Sequence, residues 1–239
     1  MTAVSDIWVY LAASPLLWLT LTLAAYAVAS WFAARMHHAA WANPVALSIC
    51  LLIPVLLLTG TPYPKYFEGA QFVHFLLGPT TVALAVPLYR HRAVVRRAAA
   101  PMAAALITGA VVAAGSALLL GRAFGLDNAL LAALAPKSAT APIAMAITER
   151  LGGLPSLTAA MVVLTGLAGV LLGLPLLNRL TRGSDAAYGL ALGLSAHGIG
   201  TARAFQRSEL AGTFAGIALG LTGLLTALLV PPLWQLLAP

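Results

Sequence analysis

Eight apolar stretches, separated by short polar turns, fill almost the whole chain: roughly residues 7–33, 44–60, 71–89, 98–120, 127–149, 155–178, 186–205 and 210–237. A bilayer core of ~30 Å needs about 20 apolar residues per helix, and each stretch approaches that length. The pattern predicts an all-α polytopic membrane protein with about eight transmembrane segments, a single domain over residues 1–239, and no room for a soluble domain. The first stretch is preceded by Met1-Thr-Ala-Val-Ser-Asp6, with no positive charge. It is too long for a signal-peptide core, so it reads as a retained helix.

Three stretches are interrupted near the depth of the bilayer midplane. The third carries Gly78 and Pro79, the fifth Pro136 and Pro142, and the seventh Gly198 and Gly200 within Ser195-Ala-His-Gly-Ile-Gly-Thr201. Proline removes a backbone donor and clashes with the preceding turn. At membrane depth such breaks survive only where protein or a wet cavity satisfies the freed backbone groups. Three of them in one chain imply a polar cavity near the midplane. Asn43-Pro44 reads as a plain helix start, cap then first-turn proline.

An internal repeat of about 57 residues accompanies the breaks. Thr108-Gly109, Thr165-Gly166 and Thr222-Gly223 recur at that spacing, as do Pro79 and Pro136, and Pro175-Leu176 and Pro232-Leu233. The repeating unit reads as a broken helix followed by a Thr-Gly helix. Repeated units around a midplane site are a transporter plan.

Composition narrows the class. The chain is 61% hydrophobic and 8% charged, against about 25% charged in a soluble domain. A net charge of +7 suggests nucleic acid only until the basic residues are located. They lie mainly between apolar runs, as juxtamembrane residues do, and no nucleic-acid partner is expected. The single cysteine, Cys50, excludes an internal disulfide and a multi-cysteine metal site. With the N-terminus outside and eight crossings, eight Lys/Arg fall inside and four outside. If the fifth segment re-enters without crossing, the count becomes seven against five.

Lys137 is the residue with most chemistry to offer. An intramembrane lysine costs about 2.5–3.5 kcal/mol on insertion scales. It either meets an anion in a cavity or snorkels along its stem. Ser138 and Thr140 stand beside it, and the half-helix beginning near Pro142 would aim its N-terminus inward, an end that favours anions. The alternative for these hydroxyls is back-bonding to helix carbonyls. In the seventh stretch, His197, Thr201 and Arg203 flank the glycine break. His197 suits a proton relay, or is a satisfied core histidine, while Arg203 either serves the site or marks a helix end. In the third, Glu68, Gln71 and His74 share part of one face and read as an entry path or an ordinary polar cap. Nothing argues for a metal, a cofactor or an enzyme.

The motifs and their order resemble the LrgB/CidB family over residues 40–239. The likeness rests on Asn43-Pro44, Tyr66-Phe-Glu-Gly-Ala70, His74-Phe-Leu-Leu-Gly-Pro79, Ala135-Pro-Lys-Ser138, Thr140-Ala-Pro-Ile-Ala144, Gly152-Gly153, Pro155-Ser-Leu-Thr158 and Ser195-Ala-His-Gly-Ile-Gly-Thr-Ala-Arg-Ala204. The resemblance implies a multi-pass protein of the bacterial inner membrane. It also implies one of two roles: transport of small monocarboxylates of the glycolate, glycerate, pyruvate or lactate type, in a cycle that protons would couple, or holin/antiholin-like control of murein hydrolase export and lysis. The expected partners are a small carboxylate anion, a separate LrgA/CidA-like membrane protein and, through the Gly-xxx-Gly steps at Gly169/Gly173 and Gly212/Gly216/Gly220, a second copy of the chain. The substrate-binding set expected is Lys137, Ser138, Thr140, His197, Thr201, Arg203 and His74.

Overall fold

The computed structural model describes residues 14–37, 39, 41–76, 79, 82–83 and 85–237. The described residues are helical with no strand, and they form two compact units that divide between residues 83 and 84.

The first unit holds α1 (Pro15–Arg35), α2 (Pro44–Leu58) and α3 (Tyr63–Phe75). Asn43 caps α2 as its sequence predicts, its side chain accepting from the Val45 and Ala46 amides at 2.9 and 3.2 Å. α3 lies on α1: Trp18 is buried and meets Tyr66 edge-on at 6.1 Å. Gly69 sits so close to the Pro15 carbonyl that a Cβ there would overlap it. α3 begins eight residues before the apolar stretch expected at 71–89. Lys65 and Glu68 count against a membrane span but not against a helix.

The second unit holds α4 (Ala85–Arg90), α5 (Arg92–Arg97), α6 (Ala99–Ala123), α7 (Asn128–Leu134), α8 (Ala141–Arg150), α9 (Pro155–Leu180), α10 (Asp185–Arg207) and α11 (Glu209–Leu237). Two contacts set α6 and α11 parallel. Arg90, at the end of α4, from which the short α5 leads into α6, pairs with Glu209 at the start of α11 at 3.3 Å. Arg122, at the end of α6, donates to the Leu237 carbonyl at the end of α11 at 2.5 Å.

α7 and α8 form an antiparallel hairpin. Thr148 Oγ1 donates to the Ala132 carbonyl at 3.1 Å, and a Cβ on Gly153 would stand 3.1 Å from the Ala129 carbonyl. The end of α8 thus lies beside the start of α7, with the turn at residues 135–140. α9 therefore begins where α6 ends and runs the opposite way.

α10 doubles back in the same manner. A straight helix of its length would hold its ends about 33 Å apart, yet Arg207 Nε is 2.7 Å from Asp185 Oδ1. The reversal is at His197, at φ 37° and ψ −124°, a conformation an L-residue other than glycine rarely adopts. Below the tip, Gly200 faces the Leu192 carbonyl with no space for a side chain. On the outer side, Gly189 and Gly193 lie against the Ala211 and Ala215 carbonyls of α11, the close approach their small size allows.

These hairpins correct the expectation of eight crossing segments. Among the described residues, α1, α6, α9 and α11 are long and apolar enough to cross a membrane. The fifth and seventh stretches instead enter from opposite ends of the second unit and return.

Candidate functional site

The two hairpin tips converge on one turn of α9. The Val162 side chain packs with Ala139, in the turn of the first hairpin, and with Ala144 of α8. The Val162 carbonyl oxygen lies 2.8 Å from His197 Nε2 at the tip of the second. Gly166, one turn further along α9, has His197 Cε1 2.6 Å from where its Cβ would stand, so the ring occupies space that only glycine leaves open.

The first tip is polar and unsatisfied. Its backbone turns through the Lys137 amide to the Leu134 carbonyl at 3.2 Å and the Ala139 amide to the Pro136 carbonyl at 2.9 Å, with Pro136 fully buried. Lys137 is half-buried, and among the described residues its ammonium has no ion-pair or hydrogen-bond partner. Ser138 is buried, and its hydroxyl likewise bonds no described residue. Thr140 precedes α8 without a side-chain capping bond, and Pro142 stands in the first turn. The first amides of α8 have no intrahelical acceptor and carry the positive end of its dipole. An ammonium, two hydroxyls and a helix N-terminus thus fall within residues 137–142, and among the described residues no acid pairs with the ammonium.

The second tip presents histidine. A carbonyl oxygen only accepts, so the bond to Val162 puts a proton on Nε2 of His197, and in the neutral ring Nδ1 is left as an acceptor. His197 is 6% exposed, while Gly198 beside it borders open space. Thr201 is buried, and its hydroxyl donates to the His197 carbonyl at 2.8 Å, the back-bonded alternative for such a residue. Arg203 lies six residues down the returning arm, about 9 Å along the axis, and donates to Gln206 Oε1 at 2.8 Å. Ala139, between Ser138 and Thr140, and His197 thus both meet Val162, with Thr201 bonded back to His197 and Arg203 nearer the hairpin base. Gly78 and the side chain of His74 lie outside the described residues. Pro79 is described and exposed.

Three groups here carry little sequence signal. Thr148 and Thr158 form a buried pair, Thr158 donating to Thr148 at 2.8 Å, which ties the first hairpin to α9. Thr222 of α11 is 1% exposed, and among the described residues its hydroxyl has no hydrogen-bond partner. Its neighbour Gly223 faces Ile143, one residue past Pro142. Thr158 closes one of the motifs and Thr222 belongs to a repeated Thr-Gly pair, but a threonine in an apolar run usually bonds its own helix, so neither reads there as a site residue, and Thr148 carries no signal at all. Among the described residues no three His, Cys, Asp or Glu side chains gather as metal ligands would.

Residues 22–236 match the LrgB-like family. The uncharacterised protein YwbG of Bacillus subtilis is 34% identical over 191 residues, 80% of this chain and 85% of its own. The holin-like protein CidB of Staphylococcus aureus is 31% identical, covering 91% of this chain and 95% of its own. The antiholin-like protein LrgB of B. subtilis is 28% identical, covering 94% and 97%. No solved structure matches.

Proposed function

The chain belongs to the LrgB-like family, and from that premise we propose that it is a secondary transporter of small monocarboxylates in the bacterial inner membrane. The observation that carries this reading is the Lys137 ammonium at a hairpin tip, which has no partner among the described residues. A chain with 8% charged residues keeps a costly intramembrane cation when something negative visits it. A carboxylate bound there would pair with Lys137, accept from Ser138 or Thr140 and lie at the N-terminus of α8.

In this reading the hairpins would open a route to each side. α6 with the first hairpin, and α9 with the second, are the same arrangement run in opposite directions. The Thr-Gly pairs at 57-residue spacing fall on α6, α9 and α11. This supports an inverted repeat around the site, with one hairpin gating each face. Proton coupling through His197 completes the cycle: a proton on Nδ1 would offset the charge of the anion.

The doubled-back topology also gives an orientation. In the second unit the end where α6 and α11 begin carries Arg90, Arg92, Arg96, Arg97, Arg179, Arg182, Arg203 and Arg207, and the other end Arg122 and Arg150. Over the same residues eight crossings give seven against three and seven crossings six against four, so eight against two is the steeper bias, and it favours a cytoplasmic first end.

The relatives' names favour a second reading, a holin- or antiholin-like protein that regulates export and lysis. In either reading a separate LrgA/CidA-like protein is the expected partner, with self-association through Gly-xxx-Gly steps as a further contact. Uptake of radiolabelled glycolate and pyruvate into liposomes separates the two. Saturable uptake that Lys137→Met abolishes supports transport. Non-saturable leakage of a small dye, indifferent to Lys137, supports the holin-like role.

A further inference from the structure

Arg92, Arg96 and Arg97 of α5 line one concavity of about 580 Å³ with Ala93. Val95 and Ala98 pack inward against the core of Met102, Leu106 and Phe214, which fixes the short helix and turns its arginines outward. Arg92 stacks on Tyr89 at 4.3 Å and donates to the Tyr89 carbonyl. Arg96 and Arg97 have no acidic partner among the described residues. Glu209, the acid closest to hand, is held by Arg90 at 3.3 Å and stands 4.0 Å from His91. Arg92 and Arg96, four residues apart on one helix, repel each other modestly, and an external anion between them would relieve that.

We infer that this concavity binds the phosphodiester headgroup of an anionic phospholipid in the cytoplasmic leaflet. Charge complementarity carries the assignment. The patch adjoins the first turn of the membrane-crossing α6, at the end that the arginine bias makes cytoplasmic, where anionic lipids give the surface its negative potential. Planar guanidiniums match phosphate oxygens in pairs. The inference rests on the membrane orientation above and is independent of what is transported.

The test uses the full chain, delipidated in neutral detergent, with phosphatidylglycerol or phosphatidylcholine added back and bound lipid read by native mass spectrometry. Wild type should retain phosphatidylglycerol over phosphatidylcholine. The triple variant Arg92→Gln, Arg96→Gln, Arg97→Gln should bind it about 100-fold more weakly. Arg150→Gln, at the other end, should bind as wild type. The triple Arg→Lys variant should keep most of the preference, which separates lost charge from a lost fold. Equal phosphatidylglycerol retention by wild type and the triple glutamine variant overturns the site. Displacement of the lipid by millimolar inorganic phosphate overturns the lipid assignment in favour of a soluble anion.

Discussion

His197 Nε2 lies 2.8 Å from the carbonyl oxygen of Val162, so the tip of one hairpin is fastened to the same residue of α9 on which the other hairpin packs. The bond fixes both the ring orientation and its tautomer, and it stands on a histidine at φ 37°. Backbone strain of that kind persists where surrounding structure enforces it, and it marks functional turns.

The space for that ring is left by Gly166. A Cβ there would stand 2.6 Å from His197 Cε1 and 3.0 Å from Ile199 Cδ1. Gly166→Ala should displace the ring, break its bond to Val162 and destabilise the protein by about 1–3 kcal/mol. Gly173 on the same helix faces open space, and Gly173→Ala should melt as wild type. Thermal unfolding in detergent checks the pair, and equal melting of the two variants would show that the ring has room to move.

Lys137 should behave as a functional residue rather than a stabilising one. Lys137→Met removes a charge with no internal partner and keeps most of the stem. It should raise the melting temperature while reducing carboxylate uptake about 10- to 100-fold, the equivalent of a charge-assisted hydrogen bond of about 1.5–3 kcal/mol. A structural role would move both measurements down together.

Much of this site was legible in the chain, for local reasons. Pro136 and Pro142 mark the first tip, because proline acts on its own turn. The glycines of the seventh stretch mark close packing, because only a missing side chain lets Gly189 and Gly193 reach the Ala211 and Ala215 carbonyls. Whether a stretch crosses or doubles back is not decided there: re-entry of the fifth stretch stands as an alternative, and the return of the seventh is not expected. An apolar stretch of crossing length looks the same whether it crosses or returns. What decides is contact between residues far apart in sequence, Ala132 with Thr148 and Asp185 with Arg207. The reversal at His197 is equally silent, since the sequence offers Gly198 and Gly200 next to it as the more natural turning points.

Thr222 tests whether the α11 wall belongs to the site. Its hydroxyl is buried without a partner, and such a group costs about 1–3 kcal/mol. Thr222→Val keeps the shape and should stabilise the protein by about that amount. If small carboxylates raise the melting temperature of wild type and the hydroxyl serves the bound anion, the same variant should lose that shift. A variant that melts lower than wild type would mean that the hydroxyl is satisfied after all.

The base of the second hairpin is held by a clasp that pH can open. The Ser208 hydroxyl donates to Asp185 Oδ2 at 2.6 Å, and Arg207 Nε to Oδ1 at 2.7 Å. These bonds, the Ser208 hydroxyl first and the Arg207 guanidinium next, hold the Asp185 carboxyl below the usual carboxylate range. A pKa lower in the folded state means that the clasp contributes fully above the unfolded value of about 3.9. The contribution is lost as pH falls through the lower folded value. Asp185→Asn should therefore melt below wild type by a constant margin from neutral pH down to about pH 5, and the margin should close in stronger acid. Melting curves of both proteins across that range check it. A margin that stays constant into strong acid would mean that the hairpin is held without the charge on Asp185, by packing of α10 on α11 alone.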